Sequence, residues 1–182
     1  MNDYSSSQAL PGELIHDAET VRAAIARQAD ALRPQLEGEN PLVLVLMQGA
    51  LYYAAWLTLA LAIPLELDYV HVSRYREQKT GGELVWQRTP SASMAGRSVL
   101  IVDDIFDEGP TLAAVRAACT KAGARELRAA VMTRKLHDRA QAPLPESIAL
   151  DVPDRFVVGC GLDYAGRWRN LPAIYALDDA SI

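Results

Sequence analysis

An excess of positive charge, a disulfide framework and an unbroken apolar span are all missing from this chain. Lys and Arg number 18 against 23 Asp and Glu, a formal net charge of −5. Without a run of Lys or Arg there is no free basic footprint, so no nucleic-acid partner is expected. The two cysteines, Cys119 and Cys160, lie far apart in apolar surroundings. Neither has a second Cys or a His at metal-ligand spacing, so both read as reduced thiols of a cytoplasmic protein. The longest apolar stretch runs from Leu42 to Ile63 but is interrupted by Gln48-Gly49 and closed by Pro64. That pattern fits a strand followed by a helix, and no membrane partner is expected. Met1 to Gly12 is polar and acidic, which is wrong for a signal peptide and reads as a loose arm.

What remains is an ordinary globular composition. The chain has 182 residues, half of them apolar, enough for a single domain spanning 1–182. Asp17 is placed to cap a helix that carries Val21, Ile25 and Leu32 and is expected to stop at Pro34. Leu42 to Met47 is a continuous apolar run, the pattern of a strand buried on both faces. A helix over Ala50 to Leu61 follows, then a strand from Leu65 to Ser73 and a return strand from Glu83 to Arg88. Ser98 to Val102 is a further buried strand, with a helix from Thr111 to Ala122 stopped by Gly123. Leu127 to Thr133 is another strand, followed by a polar loop through Pro145. Two short apolar segments, Phe156 to Cys160 and Ala173 to Leu177, close the chain. Alternation of buried strands and helices gives an α/β fold with a parallel sheet.

The chemistry concentrates in Val99-Leu100-Ile101-Val102-Asp103-Asp104-Ile105-Phe106-Asp107-Glu108-Gly109-Pro110-Thr111-Leu112. An apolar strand delivers carboxylates at its carboxyl end, where open α/β sheets bind ligands. The turn and helix start that follow aim backbone N–H groups at one point, a site suited to a terminal phosphate. Asp103 and Asp104 suit ribose hydroxyls or a hydrated magnesium ion. The same run also fits a buried strand followed by an acidic helix cap.

This segment resembles the phosphoribosyl diphosphate signature of type I phosphoribosyltransferases: apolar strand, two acidic residues, two apolar residues, Asp, one residue, Gly, one residue, Thr. The likeness extends from about Leu42 to Leu177. Phe156 to Tyr164, with Arg167-Trp168-Arg169-Asn170-Leu171-Pro172, is close to the purine-binding segment of the hypoxanthine-guanine branch. The resemblance implies a Rossmann-like core carrying a small hood built from the N- and C-terminal segments. It further implies transfer of a phosphoribosyl group to hypoxanthine or guanine, magnesium as cofactor, and a homo-oligomer, dimer or tetramer.

Carried over by position, Asp103 and Asp104 match the acidic pair at the ribose hydroxyls and metal, and Asp107 the general base at the purine imidazole nitrogen. Glu108, Gly109, Pro110 and Thr111 match the loop around the 5-phosphate. Pro110 stands where relatives often have a polar residue, and brings no N–H. Lys135 matches the lysine that donates to the exocyclic oxygen of a 6-oxopurine; taken alone it reads as a solvated loop lysine. Phe156 matches the aromatic that stacks on the base, Val157 the residue whose main chain reads its edge. Alone, Phe156 reads as core. Asp163 matches a purine-side carboxylate holding a second magnesium, and Arg169 the arginine on the diphosphate. Gln48 and Gly49 match the first diphosphate loop, where a non-proline cis peptide is common and where many relatives carry lysine in place of Gln48. Ser73, Arg74 and Tyr75 match the start of a mobile loop that closes over the site. Large apolar residues of the helix after Gly49 (Leu51, Tyr52, Tyr53, Trp56 and Leu57) are the expected oligomer contact. Two rivals stay open at this point: a xanthine-preferring or broader 6-oxopurine enzyme, and a nucleotide-sensing regulatory protein on the same fold.

Overall fold

The computed structural model describes residues 12–74 and 84–178. Its centre is a six-stranded sheet of β2 (Leu42–Met47), β3 (Glu66–Arg74), β4 (Leu84–Arg88), β5 (Ser98–Phe106), β6 (Glu126–Lys135) and β7 (Ser147–Val152), ordered β4-β3-β2-β5-β6-β7. All pairings are parallel except β3 with β4. Strands β2 and β5 are buried from end to end through Leu46 and Val102, as their unbroken Val, Leu and Ile runs require.

Helices α1 (Ala18–Leu36) and α2 (Leu51–Leu61) cover one face, with Ile25, Leu32, Tyr53 and Leu57 packed on Val43, Leu100 and Val102. Helix α3 (Pro110–Lys121) covers the other, with Leu112 and Val115 on Leu44, Val99 and Ile101. The connection from β2 therefore leaves by one face toward β3, and that from β5 by the opposite face toward β6. Their carboxyl ends diverge, which is the topological switch point where such sheets bind ligands. A second sheet, β1 (Gly12–His16), β9 (Ile174–Leu177) and β8 (Val157–Val158) in the order β1-β9-β8, pairs the first described strand with the last.

Several boundaries differ from expectation. The Asp17 carboxylate accepts the Thr20 N–H at 2.7 Å and caps α1 as anticipated. The helix nevertheless runs through Pro34 to Leu36, because buried Leu32 and Leu36 hold its last turn to the core and Arg33 donates to the Leu61 and Ala60 carbonyls. Strand β5 does not stop at Val102. Pairing with β6 continues to Phe106 opposite Arg134, so Asp103 and Asp104 lie within the strand. Strands β1 and β7 escaped the sequence reading: both are edge strands with only partial burial, so their apolar patterning is weak. In α2, Tyr53 and Leu57 are fully buried and Trp56 lies under Arg22, while Leu51, Tyr52 and Leu59 face outward. Of the five residues expected at an oligomer contact, Leu51 and Tyr52 are thus exposed, and Leu59 of α2 with Leu67 and Tyr69 of β3 are further exposed large apolar residues. Among the described residues, no helix is long and apolar enough to cross a membrane.

Candidate active site

Pairing of β2 with β5 ends at Val45 opposite Val102. Beyond it β2 turns away through Gln48-Gly49, and the Met47–Gln48 peptide is cis. One flank of Asp103 to Asp107 is left uncovered, and a cavity of about 450 Å³ opens there. Its lining includes Gln48, Gly49, Asp103, Asp104, Asp107, Gly109, Thr111, Asp163 and Arg169, together with His71, which the sequence did not single out.

Close backbone approach fixes this geometry. A Cβ on Gly49 would stand 1.8 Å from Asp104 Oδ2, and one on Gly161 (φ +108°) 1.8 Å from the Gly49 carbonyl oxygen. Only glycine lets the loop after β2, the Asp104 carboxylate and the segment after β8 meet. Gly161 had no distinguishing mark in the sequence, since its importance comes from a loop more than a hundred residues away.

Asp103 and Asp104 face the cavity as an unrelieved pair. Enclosure by protein pushes both carboxyls up, Asp103 furthest because the charge of Asp104 adds to it; at Asp104 a hydrogen bond with Asp103 and the charge of Arg169 offset part of the rise. Asp103 Oδ1 accepts the Asp104 N–H at 3.0 Å, and the Thr133 hydroxyl donates to the Asp104 carbonyl at 2.8 Å. Two adjacent carboxylates with this tension suit a hard divalent cation such as magnesium, which keeps waters and shares substrate oxygens. Among the described residues no three His, Cys, Asp or Glu converge as a metal cage. Asp163 is already engaged by Arg169 at 2.7 Å and by the Gly166 N–H at 2.7 Å. The residues therefore fit an ion held jointly with a bound phosphate ester.

Gly109, at φ +92°, turns the chain into α3, and Pro110 opens the helix where its missing N–H costs nothing. Thr111 and Leu112 line the cavity at the helix N-terminus, an anion site by geometry and dipole. The Glu108 side chain points elsewhere: its carboxylate accepts Gln141 Nε2 at 3.0 Å, and Arg139 lies 3.8 Å away. Neither Glu108 nor Pro110 lines the cavity.

Asp107 sits at the cavity's edge between two donors. Lys135 Nζ lies 3.1 Å from Oδ2, and His137 Nε2 lies 2.6 Å from Oδ1. Burial alone would raise this carboxyl, but these two partners outweigh it and hold Asp107 below its ordinary range. Sequence reasoning missed His137, which nothing but the fold brings to Asp107. Lys135 is 85% covered rather than solvated, because β6 extends to include it. It also stands 5.6 Å from the centre of the Phe156 ring.

Phe156 is not core. It is 50% exposed and meets Tyr164 edge-on, with ring centres 5.6 Å apart. Its carbonyl accepts the Leu177 N–H, so the next pair, Val157 opposite Ala176, is non-hydrogen-bonded. The Val157 N–H and C=O accordingly point away from β9. Arg169 donates to the Gly161 carbonyl at 2.6 Å as well as to Asp163. Ser73 and Arg74 belong to β3; Tyr75 lies outside the described residues.

Residues 12–165 match the phosphoribosyl transferase domain family. A hypoxanthine-guanine phosphoribosyltransferase of Bacillus subtilis is 33% identical over 173 residues, covering 91% of this chain and 96% of the relative. The chain belongs to the hypoxanthine-guanine branch of the phosphoribosyltransferase family. The bifunctional protein TilS/HprT of Listeria innocua is 36% identical over 144 residues, covering 79% of this chain; the chain spans 22% of that longer protein. Among solved structures, a hypoxanthine phosphoribosyltransferase of Staphylococcus aureus superposes with a TM-score of 0.85 at 27% identity, covering 92% of each chain. Both the parallel core and the family resemblance read from the strand-Asp-Asp segment are thereby established.

Proposed function

We propose that the protein transfers the 5-phosphoribosyl group of phosphoribosyl diphosphate to hypoxanthine or guanine, releasing diphosphate and giving the purine mononucleotide. One observation carries the reading: the β5 carboxylates, the α3 N-terminus and the loop after β2 line a single cavity, Lys135 is joined to its wall through Asp107, and Phe156 stands beside Lys135.

In this mechanism the sugar phosphate occupies the cavity, its 5-phosphate on the free amides of Thr111 and Leu112 and the Thr111 hydroxyl, while Gly109 lets the turn approach closely. Glu108 and Pro110 shape the turn rather than touch the ligand. Asp103 and Asp104 receive the ribose hydroxyls and would hold magnesium, and Asp163 would hold a second ion, directly or through water. The metal, when bound, would neutralise diphosphate charge. Gln48, Gly49 and Arg169 face the diphosphate. The base stacks on Phe156, its edge meets the Val157 main chain, and Lys135 donates to its 6-oxo group. Adenine offers no acceptor there, which is the source of selectivity. Asp107 accepts the proton of the imidazole nitrogen as that nitrogen bonds the anomeric carbon and the diphosphate leaves. Ser73 and Arg74 end β3, and in this reading the chain beyond them closes over the reaction and excludes water. The outward apolar face of α2 and β3 is the homo-oligomer contact, and the enzyme works in the cytoplasm.

The decisive assay incubates the chain with phosphoribosyl diphosphate, magnesium and each of hypoxanthine, guanine, xanthine and adenine. Diphosphate release with hypoxanthine and guanine but not adenine is the expected result. Release with none, or with adenine alone, would refute the reading. A monomer at micromolar concentration in sedimentation would refute the oligomer contact.

A further inference from the structure

The proposed reaction needs Asp107 ionised and aimed, yet its partner Lys135 must turn toward the base. Something else has to hold the carboxylate during that exchange. His137 has the geometry for it. Its Nδ1 accepts the Arg139 N–H at 3.1 Å. A ring nitrogen that accepts carries no hydrogen, so the ring hydrogen is on Nε2, which donates to Asp107 Oδ1 at 2.6 Å. The His137 side chain is 4% exposed, so the donor end of this bond is shielded from water. The loop bearing it is fastened on either side of the ring, first by the Leu136 N–H, which donates to the Val152 carbonyl at 2.9 Å. Arg139 grips Asp154 through two bonds of 2.8 Å, and the Gln141 N–H donates to the Glu108 carbonyl at 2.8 Å.

We propose that His137 is a positioning residue that fixes one oxygen of Asp107 and leaves the other free for the purine imidazole nitrogen. The proposal rests on the transferase reading above. Oδ2, released when Lys135 moves to the 6-oxo group, takes the proton of the base nitrogen. The nitrogen lone pair forms the bond to the anomeric carbon, and the electrons of the broken carbon–oxygen bond leave with diphosphate. The His137 hydrogen stays on Nε2 throughout. The groups facing Asp107 are Lys135, His137 and Arg139 on one side and Glu108 next to it, with Asp103, Asp104, Asp163 and Arg169 around the cavity. The carboxylates among them favour the protonated acid, so losing a donor is expected to let the Asp107 titration rise.

The test follows the Asp107 side-chain carbon by NMR in the full chain as wild type, H137A and H137Q. In H137A the midpoint is expected to rise by about one pH unit, the equivalent of one hydrogen bond to a charged acceptor. H137Q, which keeps an N–H near the Nε2 position, is expected to return the midpoint most of the way. In the transferase assay H137A should lose about tenfold or more in kcat, with its acid limb moved to higher pH and the purine KM little changed. An unmoved midpoint, or turnover lowered equally at every pH with H137Q no better than H137A, would overturn the proposal. If H137A does not fold, the wild-type ring decides: a hydrogen found on Nδ1 in place of Nε2 would overturn it as well. Absence of base-dependent diphosphate release by the wild type would defeat the transferase reading instead, and the titration would still test the Asp107–His137 bond independently.

Discussion

Asp68 and the pair Asp103–Asp104 are all strand aspartates of one sheet, but the protein treats them oppositely. Asp68 is saturated. It accepts the Tyr69, Ser91 and Ala92 N–H groups at 2.7, 2.6 and 2.8 Å and pairs with Arg88 at 2.8 Å, with 7% of its side chain exposed. Although burial works against the charge, these donors hold its pKa down at about 2. Asp103 and Asp104 have almost no such support and are pushed upward. A structural carboxylate is satisfied by its own chain; a carboxylate kept short of partners at a strand's carboxyl end is kept for a ligand.

Asp107, held by two donors yet open at the rim, lies between these extremes. D107N is expected to lower kcat by about 10²- to 10⁴-fold with little change in the KM for phosphoribosyl diphosphate. Steady-state kinetics check this, and near wild-type turnover would remove Asp107 from the base role. D104N should cost less, about tenfold to a hundredfold in kcat/KM, while the ligand-free protein becomes more stable as a like-charge pair is relieved. A thermal midpoint that fell along with activity would show the pair to be structural. G49A drives a methyl group into Asp104, and is expected to weaken phosphoribosyl diphosphate binding about tenfold or more in calorimetry, or to destabilise the fold by about 1–3 kcal/mol. D68N has the smallest effect on turnover and the clearest on stability. It should unfold more easily by about 2 kcal/mol at pH 7, with activity per folded molecule unchanged. The sign follows from a depressed folded-state pKa. The contribution is complete above the ordinary carboxylate value and fades as pH falls through about 2. Denaturant titrations of both proteins should therefore converge toward pH 2, and a gap that persisted there would contradict the ionised role of Asp68.

Much of this was readable before the fold. Continuous apolar runs marked β2 and β5, Asp17 marked the start of α1, and the Asp-Asp-x-x-Asp-x-Gly-x-Thr spacing marked the cavity wall. These are local signals, with periodicity, caps and turns all set within a few residues. The misses were non-local. Strands β1 and β7 are stabilised by edge pairing rather than by their own pattern. Gly161 matters through the Gly49 carbonyl it meets, and His137 through Asp107, thirty residues earlier in the chain. Pro34 misled because a helix-stop rule gave way to the burial of Leu36.

Calorimetric titration of the wild type and of a D103N/D104N variant with phosphoribosyl diphosphate, with and without magnesium, tests the claim that the underserved carboxylates of β5 exist for a metal-borne sugar phosphate. Tight, magnesium-dependent binding by the wild type and its loss in the variant is the predicted outcome. Undiminished magnesium-dependent binding by the variant would contradict it.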